Sequence, residues 1–328
     1  MISYRISDHM SPFERFQPVE SSRKPHPLPV ERVRYEREPQ VERVVCLSDI
    51  HNDLVAAQAS LEQQGIVHHD GEWRHPVNLI ITGDSINKQE PNPEVLRYFA
   101  HLRKTAPPGC SVTMLVGNHE IDVLSRAADG EKVGLKDGKI EFLGSMDIVC
   151  KRGPVLYLHR YPSLGLVQGL WRQYRMQGGD PDIWDINRRF HEAVSTMRQS
   201  PERSKSVFRE CDDGGDKQAL LGLSAEAYYQ KYGSLIGRYL NEMGVTTVVH
   251  GHKIQKEGGQ KFEQHIPGVS MVNIDAGISS DKNPEHRHRI GSIEVTPASD
   301  GGIEITCAYK PNIKRKQGDA QIRKMTVH

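Results

Sequence analysis

Asp49 and His51 stand one residue apart at the end of the apolar run Val44–Leu47. An isolated Asp-x-His pair is a common surface feature, but here the arrangement recurs along the chain. The run at 78–84 ends in Gly83-Asp84, and that at 112–120 ends in Gly117-Asn118-His119-Glu120. The run at 155–159 ends in His159, and that at 245–252 ends in His250-Gly251-His252. Asp, Asn and His supply hard oxygen and imidazole nitrogen donors, which suit manganese, iron or zinc rather than a thiolate-seeking metal. Two such ions that share a carboxylate can ionise a bridging water and clamp phosphoryl oxygens during in-line displacement. Asp84 is the natural bridging carboxylate, because it follows a glycine that leaves the strand end open. His119, beside Asn118, is placed to protonate a leaving oxygen.

Such residues need elements that bring them to one place. In open α/β sheets the ligand site lies beyond the carboxyl ends of the strands, so an α/β fold is expected. Leu54, Ala57 and Leu61 are at helical spacing, predicting a helix over 53–64 with Gly65 as its stop. Val95, Leu96, Phe99 and Leu102 predict a second helix from Pro93. A short helix is expected at 121–127, with a loop or hairpin over 129–139. Helices are expected at 168–176, 185–199 and 225–243, and a loop with a short strand at 204–217. Strands from 271 onward are read as a second sheet.

Composition narrows the classes. The net charge is +1, which demands neither nucleic acid nor an anionic membrane as partner. No apolar run is long enough to span a bilayer, and the first thirty residues lack the apolar core of a secretory signal. The 5 cysteines are odd in number and widely spaced, as expected of reduced thiols in a cytoplasmic protein. Residues 1–42, rich in Arg, Glu, Pro and Ser, are expected to form an extension that is disordered or draped over the domain. The catalytic domain is expected over 43–310, with a partly helical insertion at 160–243, and a solvated basic tail over 311–328.

Asp49-Ile50-His51, Gly83-Asp84, Gly117-Asn118-His119-Glu120, His159 and Gly251-His252, in that order, resemble the calcineurin-like metallophosphoesterases. The nearest likeness is to the phosphoprotein-phosphatase branch and its diadenosine-tetraphosphatase-like relatives. The resemblance implies a four-layer αββα sandwich of two mixed β-sheets packed between helices. It implies one divalent ion held by Asp49, His51 and Asp84, and a second held by Asp84, Asn118, His159 and His252. It implies attack on phosphorus by a metal-bridged hydroxide, with His119 as general acid. Manganese is the first expectation for the pair of ions, with iron or zinc as alternatives. His250, which precedes the glycine, is left outside the ligand set.

The chain departs from the branch pattern in three places. Asn87-Lys88-Gln89 stands where the protein-phosphatase branch carries Asp-Arg-Gly. Lys88 still offers a charge to phosphate but lacks the bidentate fork of Arg. Asn87 is expected to accept a hydrogen bond from His119 and to leave that ring with a lower pKa than Asp would. His159-Arg160-Tyr161-Pro162 replaces the family's His-Gly-Gly or His-Ala-Gly, so Arg160 becomes a phosphate-binding candidate beside a surface-packed Tyr161. Arg209 is the candidate for a further phosphate-binding arginine. Three functions fit this reading. One is a phosphatase acting on phosphorylated Ser, Thr or Tyr in proteins. Another is a pyrophosphohydrolase acting on dinucleoside polyphosphates or capped nucleotides. The last is a binding module of the same fold without turnover.

Overall fold

β1 (Val44–Leu47) is buried along its whole length because both of its faces are covered. The computed structural model describes residues 43–220, 225–253, 261–275, 290–298, 302–310 and 321–327. All of them belong to the unit Pro39–His328. The extension at 1–42 lies outside the described residues.

β1 pairs in parallel with β2 (Asn78–Ile81), which pairs in parallel with β3 (Ser111–Met114). On its other edge β1 pairs antiparallel with β9 (Ile290–Pro297), followed by β10 (Ile303–Lys310) and β11 (Gln321–Val327). The order of this six-stranded sheet is β11-β10-β9-β1-β2-β3. The second sheet has β5 (Val155–Leu158), β6 (Thr247–His250) and β8 (Val269–Asn273) in parallel at its centre. β4 (Val149–Arg152) and β7 (Lys261–Ile266) flank them antiparallel, giving the order β4-β5-β6-β8-β7.

Strand side chains alternate between faces, and here both faces are apolar. Val44, Cys46 and Ile80 from the first sheet pack with Tyr157, Val249 and Val272 from the second. The opposite face of the first sheet, with Val45, Leu47, Leu79 and Ile81, packs against helices. These include α1 (Leu54–Gln63), α2 (Pro93–Lys104), α3 (Asn118–Ala128) and α4 (Asp137–Leu143). α6 (Asp185–Thr196) and α7 (Pro201–Leu220) join that layer through Phe190 and Phe208. The outer face of the second sheet packs on α5 (Leu164–Gln177) and α8 (Ala225–Glu242). Four layers result, helix, sheet, sheet, helix, in an α/β fold.

Local signals set the helix ends. Asp53 caps α1 by accepting from the Ala56 N–H at 3.0 Å. Asn92 caps α2, and Pro93 takes its first position.

The structure departs from the sequence expectations in four places. β9 and β10 complete the first sheet, and only β8 of that group joins the second. The stretch 204–217 is helical, within α7. Phe208 is fully buried against Phe190, with ring centroids 5.9 Å apart, so packing overrides the glycines and charges that suggested a loop. Residues 137–143 form α4 rather than a loop or hairpin. The basic tail is in part the strand β11, in register with β10 from Ile303 to Tyr309. The cysteines Cys46, Cys110, Cys150, Cys211 and Cys307 are all free. Among the described residues no helix is long and apolar enough to cross a membrane.

Tyr157 sits between the sheets, fully buried, and its hydroxyl has no hydrogen-bond partner. Burying the ring gains about 1.5–3 kcal/mol, but an unpaired buried hydroxyl costs about 1–3 kcal/mol. Tyr157→Phe is therefore expected to raise stability by about 1 kcal/mol. Urea unfolding checks this: the midpoint rises at constant slope.

Candidate metal centre

The carboxyl ends of β1, β2 and β6 leave their strands by sharp turns. Asp49, His51, Asn52, Asp84 and His252 all have positive φ, at 53°, 45°, 69°, 50° and 74°. Among the non-glycine described residues no others do. Each such backbone costs about 1–2 kcal/mol, and Asn, Asp and His tolerate it best. Hydrogen bonds between the turns hold the conformation. Asp49 N–H donates to Gly83 O at 3.1 Å, His51 N–H to Asp84 O at 2.9 Å and Asn52 N–H to Ser85 O at 3.1 Å. The β6 turn closes on the β1 turn where His252 N–H donates to Asp49 Oδ2 at 3.0 Å. The Ser48 hydroxyl also donates to Asp49. A Cβ on Gly117 would overlap Asp84 Oδ1, and one on Gly251 would overlap Ser48 Oγ and Asp49 Oδ2. At both positions only glycine lets the turns approach this closely.

Glu120 ties the β2 turn to the start of α3. Its side chain is fully buried. Its Oε2 accepts from Asp84 N–H at 3.0 Å and Gly117 N–H at 2.8 Å. Its Oε1 accepts from Ser85 N–H at 2.8 Å and Ile86 N–H at 3.2 Å. Burial first, and then the charge of Asp84, push its pKa up to about 7 against the pull of these donors. Glu120 closes the motif Gly117-Asn118-His119-Glu120, and its role is not evident from the motif alone. The capping-box position, three residues after the N-cap Gly117, was the available signal.

The side chains converge in two clusters that share Asp84. His51, Asp84 and His119 form one, and Asp84, His159 and His252 the other. Asp84 Oδ2 lies 3.8 Å from both His51 Nε2 and His119 Nε2. Asp84 Oδ1 lies 3.4 Å from His159 Nε2 and accepts from His119 N–H at 2.9 Å. Asp49 Oδ1 is 3.7 Å from His51 Nε2. Asn118 Oδ1 is 3.1 Å from His159 Nε2.

These donors fit a pair of divalent ions. His159 Nδ1 faces the carbonyl of Thr82 at 2.9 Å, which can only accept, so Nδ1 carries a proton. Nε2 faces two oxygen acceptors, Asp84 Oδ1 and Asn118 Oδ1, an arrangement completed by a proton on Nε2 or by a metal ion in its place. His252 Nδ1 is buried with no hydrogen-bond partner. Asp84 and Asp49 can supply the charge.

The charges are strongly coupled. Burial opposes ionisation of Asp84, but the rings of His159, His119 and His51 hold its carboxyl well below the usual range. Burial also opposes a charged His51 ring, yet Asp49, Asp84 and Asp275 push its pKa up to about 9. His159 is pushed to about 9 against burial by Asp84, with Asp49 and Glu120 adding to it. Burial, His159 and Arg160 press His252 down to about 3, so this ring is neutral and its lone pair is free. His119 is lowered by burial first, with the charges of His51 and Lys88 adding to it.

The other candidates fall around this centre. Lys88 is exposed on the loop after β2, near enough for its charge to reach His119. The bond to His119 expected of Asn87 is made by the Ile86 carbonyl, 3.1 Å from His119 Nδ1. Asn87 Nδ2 instead donates to His51 O at 3.3 Å. Arg160 lies beside His159, with its Nη2 3.1 Å from Asp212 Oδ1 of α7. It shares a small cavity with Asn118, His159, Tyr161, Cys211 and Asp212. Arg209 is on the exposed side of α7, its Nε donating to Lys205 O at 3.3 Å. Tyr161 is buried rather than surface-packed, its ring 4.3 Å from that of His250. His250 is likewise fully buried. Asp212 and Asn52 were missed, since both act through partners far away in sequence.

The family model for calcineurin-like phosphoesterases matches residues 42–256. The chain belongs to the calcineurin-like phosphoesterase family. No curated protein matches it. Among solved structures it is similar to the cold-active protein-tyrosine phosphatase of a psychrophilic Shewanella, at 18% identity and a TM-score of 0.55. That alignment covers 81% of this chain and 77% of the other, and the likeness is one of fold. A protein serine/threonine phosphatase from Saccharomyces cerevisiae aligns at 14% identity and a TM-score of 0.46, covering 87% of this chain and 80% of that one.

Two outcomes are expected. In Glu120→Gln two donors of the amide would face the N–H groups of Asp84 and Gly117, so stability falls by about 2–3 kcal/mol. Chemical unfolding measures the loss. With pKa values of about 9, His51 and His159 hold protons at neutral pH in the metal-free protein. Ligation needs the neutral rings, so manganese binding releases protons and tightens as pH rises from 6 towards 9. Calorimetry in buffers of different ionisation enthalpy reads the released protons directly.

Proposed function

We propose that the protein is a two-metal phosphatase that hydrolyses phosphorylated Ser, Thr or Tyr side chains of proteins. The observation that carries this reading is the division of the Asp84 carboxylate. One oxygen faces His51 and His119, and the other faces His159. A carboxylate so placed can serve two ions. When bound, the ions supply Lewis acidity that polarises the phosphoryl group and acidifies the attacking water.

The chain's own residues have distinct tasks. Asp49, His51 and Asp84 would hold one ion, and Asp84, Asn118, His159 and His252 would hold the other. His119 is grouped by geometry with His51 and Asp84, but its ring is turned by the Ile86 carbonyl and its pKa is lowered. With Nδ1–H held by that carbonyl, the charged ring carries its second proton at Nε2, and the lowered pKa makes this proton readily given to the leaving oxygen, which makes His119 the general acid. Lys88 and Arg160 contact the phosphoryl oxygens, and Arg209, set on the exposed face of α7, extends that positive edge. The protein substrate is the first reading because the helices α5, α6 and α7 are inserted between His159 and His252, where Arg160 and Tyr161 with Cys211 and Asp212 of α7 line a small cavity beside the candidate ligands. Hydrolysis of a bridged dinucleoside polyphosphate is the second reading, supported by Asn87-Lys88.

The test is phosphate release from a mixed phosphopeptide library with added manganese. Wild type is expected to release phosphate, and Asp84→Asn to lose at least about a hundredfold in rate, since it weakens a ligand of both ions. His119→Asn is expected to keep its metal content and lose about 10²–10⁴ in kcat. Turnover of diadenosine polyphosphate without peptide turnover selects the second reading. Retained metal without turnover of either substrate leaves a binding module.

A further inference from the structure

The turn that carries His51 also carries Asn52, whose side chain reaches away from its own turn. Asn52 Oδ1 accepts from Asn87 N–H at 3.1 Å and from Asn92 N–H at 2.7 Å. Its Nδ2 donates to Glu90 O at 2.6 Å. Residues 87–92 lie in neither helix nor strand, so their backbone groups have no ladder to join. One amide therefore fixes the start, middle and end of this loop. The exposed Lys88 stands within it.

The backbone alone does not need this residue. Asn52 has φ of 69°, where glycine is at ease. Glycine, however, would leave all three loop contacts unmade, and Asp would lose the bond to Glu90 O. Asn provides both tolerance of positive φ and a side chain that accepts and donates. Its own N–H, bonded to Ser85 O at 3.1 Å, sets the amide against the β2 turn. A free lysine is a flexible point charge that loses much of its contribution to the entropy of holding it in place. Fixing the loop at both sides of Lys88 limits where its ammonium can go.

We infer that Asn52 is a positioning residue that sets Lys88 on the phosphoryl group, acting from the turn that supplies the metal ligand His51. This rests on the reading of Lys88 as a phosphate contact. It adds that a single side chain couples the metal turn to the anion site.

The experiment is a double-mutant cycle with Asn52→Gly and Lys88→Ala in the full-length, manganese-loaded protein. The readout is the affinity for inorganic phosphate, measured by calorimetry. Manganese affinity is measured alongside, and so is the rate of tryptic cleavage after Lys88. Each single variant is expected to bind phosphate up to about tenfold more weakly. The double variant is expected to be no weaker than Lys88→Ala. Asn52→Gly is expected to be cut faster after Lys88 while holding manganese like the wild type. Additive losses, an unchanged cleavage rate or a fall in manganese affinity would each overturn the inference, the last because the effect would then run through His51. Failure of wild type to bind phosphate overturns it as well. Phosphate binding with a non-additive cycle, in a protein that hydrolyses no phosphopeptide, upholds it and removes only the phosphatase reading.

Discussion

A buried carboxylate that accepts from four backbone N–H groups holds this site together. Glu120 gathers the N–H groups of Asp84, Ser85, Ile86 and Gly117. None of these groups has a strand partner, because each lies just past the end of β2 or β3. Left alone in the interior, each would cost about 1–3 kcal/mol. The same contact fixes Asp84 by its backbone, while His119 N–H fixes it by its side chain. The orientation of the carboxylate shared by both clusters is thus decided by a residue that belongs to neither.

The strain of the site is concentrated in the turns that carry the candidate ligands. Among the non-glycine described residues, positive φ values occur at Asp49, His51, Asn52, Asp84 and His252, and not along the strands that lead to them. Rigid sheets on one side and interlaced turns on the other make these conformations tolerable. Two glycines complete the arrangement by what they lack. Gly117 admits the Asp84 carboxylate, and Gly251 admits Ser48 and Asp49. The left-handed turns therefore aim side chains, and the glycines set the spacing of the chains that bear them.

Much of this was legible in the sequence, for a physical reason. Short apolar runs buried on both faces look alike wherever they occur, and the polar residues that end them mark the carboxyl edge of a sheet. So β1, β2, β3, β5 and β6, with the candidate ligands after them, were readable locally. Sheet membership was not, because β9 joins β1 through pairings such as Val44 with Val295. No local pattern encodes that distance. α7 was hidden by its glycines and acidic residues, and its helical state depends on Phe208 meeting Phe190. Asn87 looked like the partner of His119 by position alone, but backbone geometry gave that contact to Ile86.

Charge balance accounts for the remaining features of the centre. Asp49, Asp84 and Glu120 are buried within one small volume. Without compensation three buried carboxylates would repel one another and be costly to desolvate. With no ion bound, the compensation comes from protons on His51 and His159 and from the raised pKa of Glu120, about 7, which lowers its own charge. His252, between the positive charges of His159 and Arg160, stays neutral. The histidines thus divide into two pushed towards the protonated state and one held neutral. The backbone contacts of Glu120 and the turns around Asp84 are made by protein groups alone, so the chain itself builds the frame of this site.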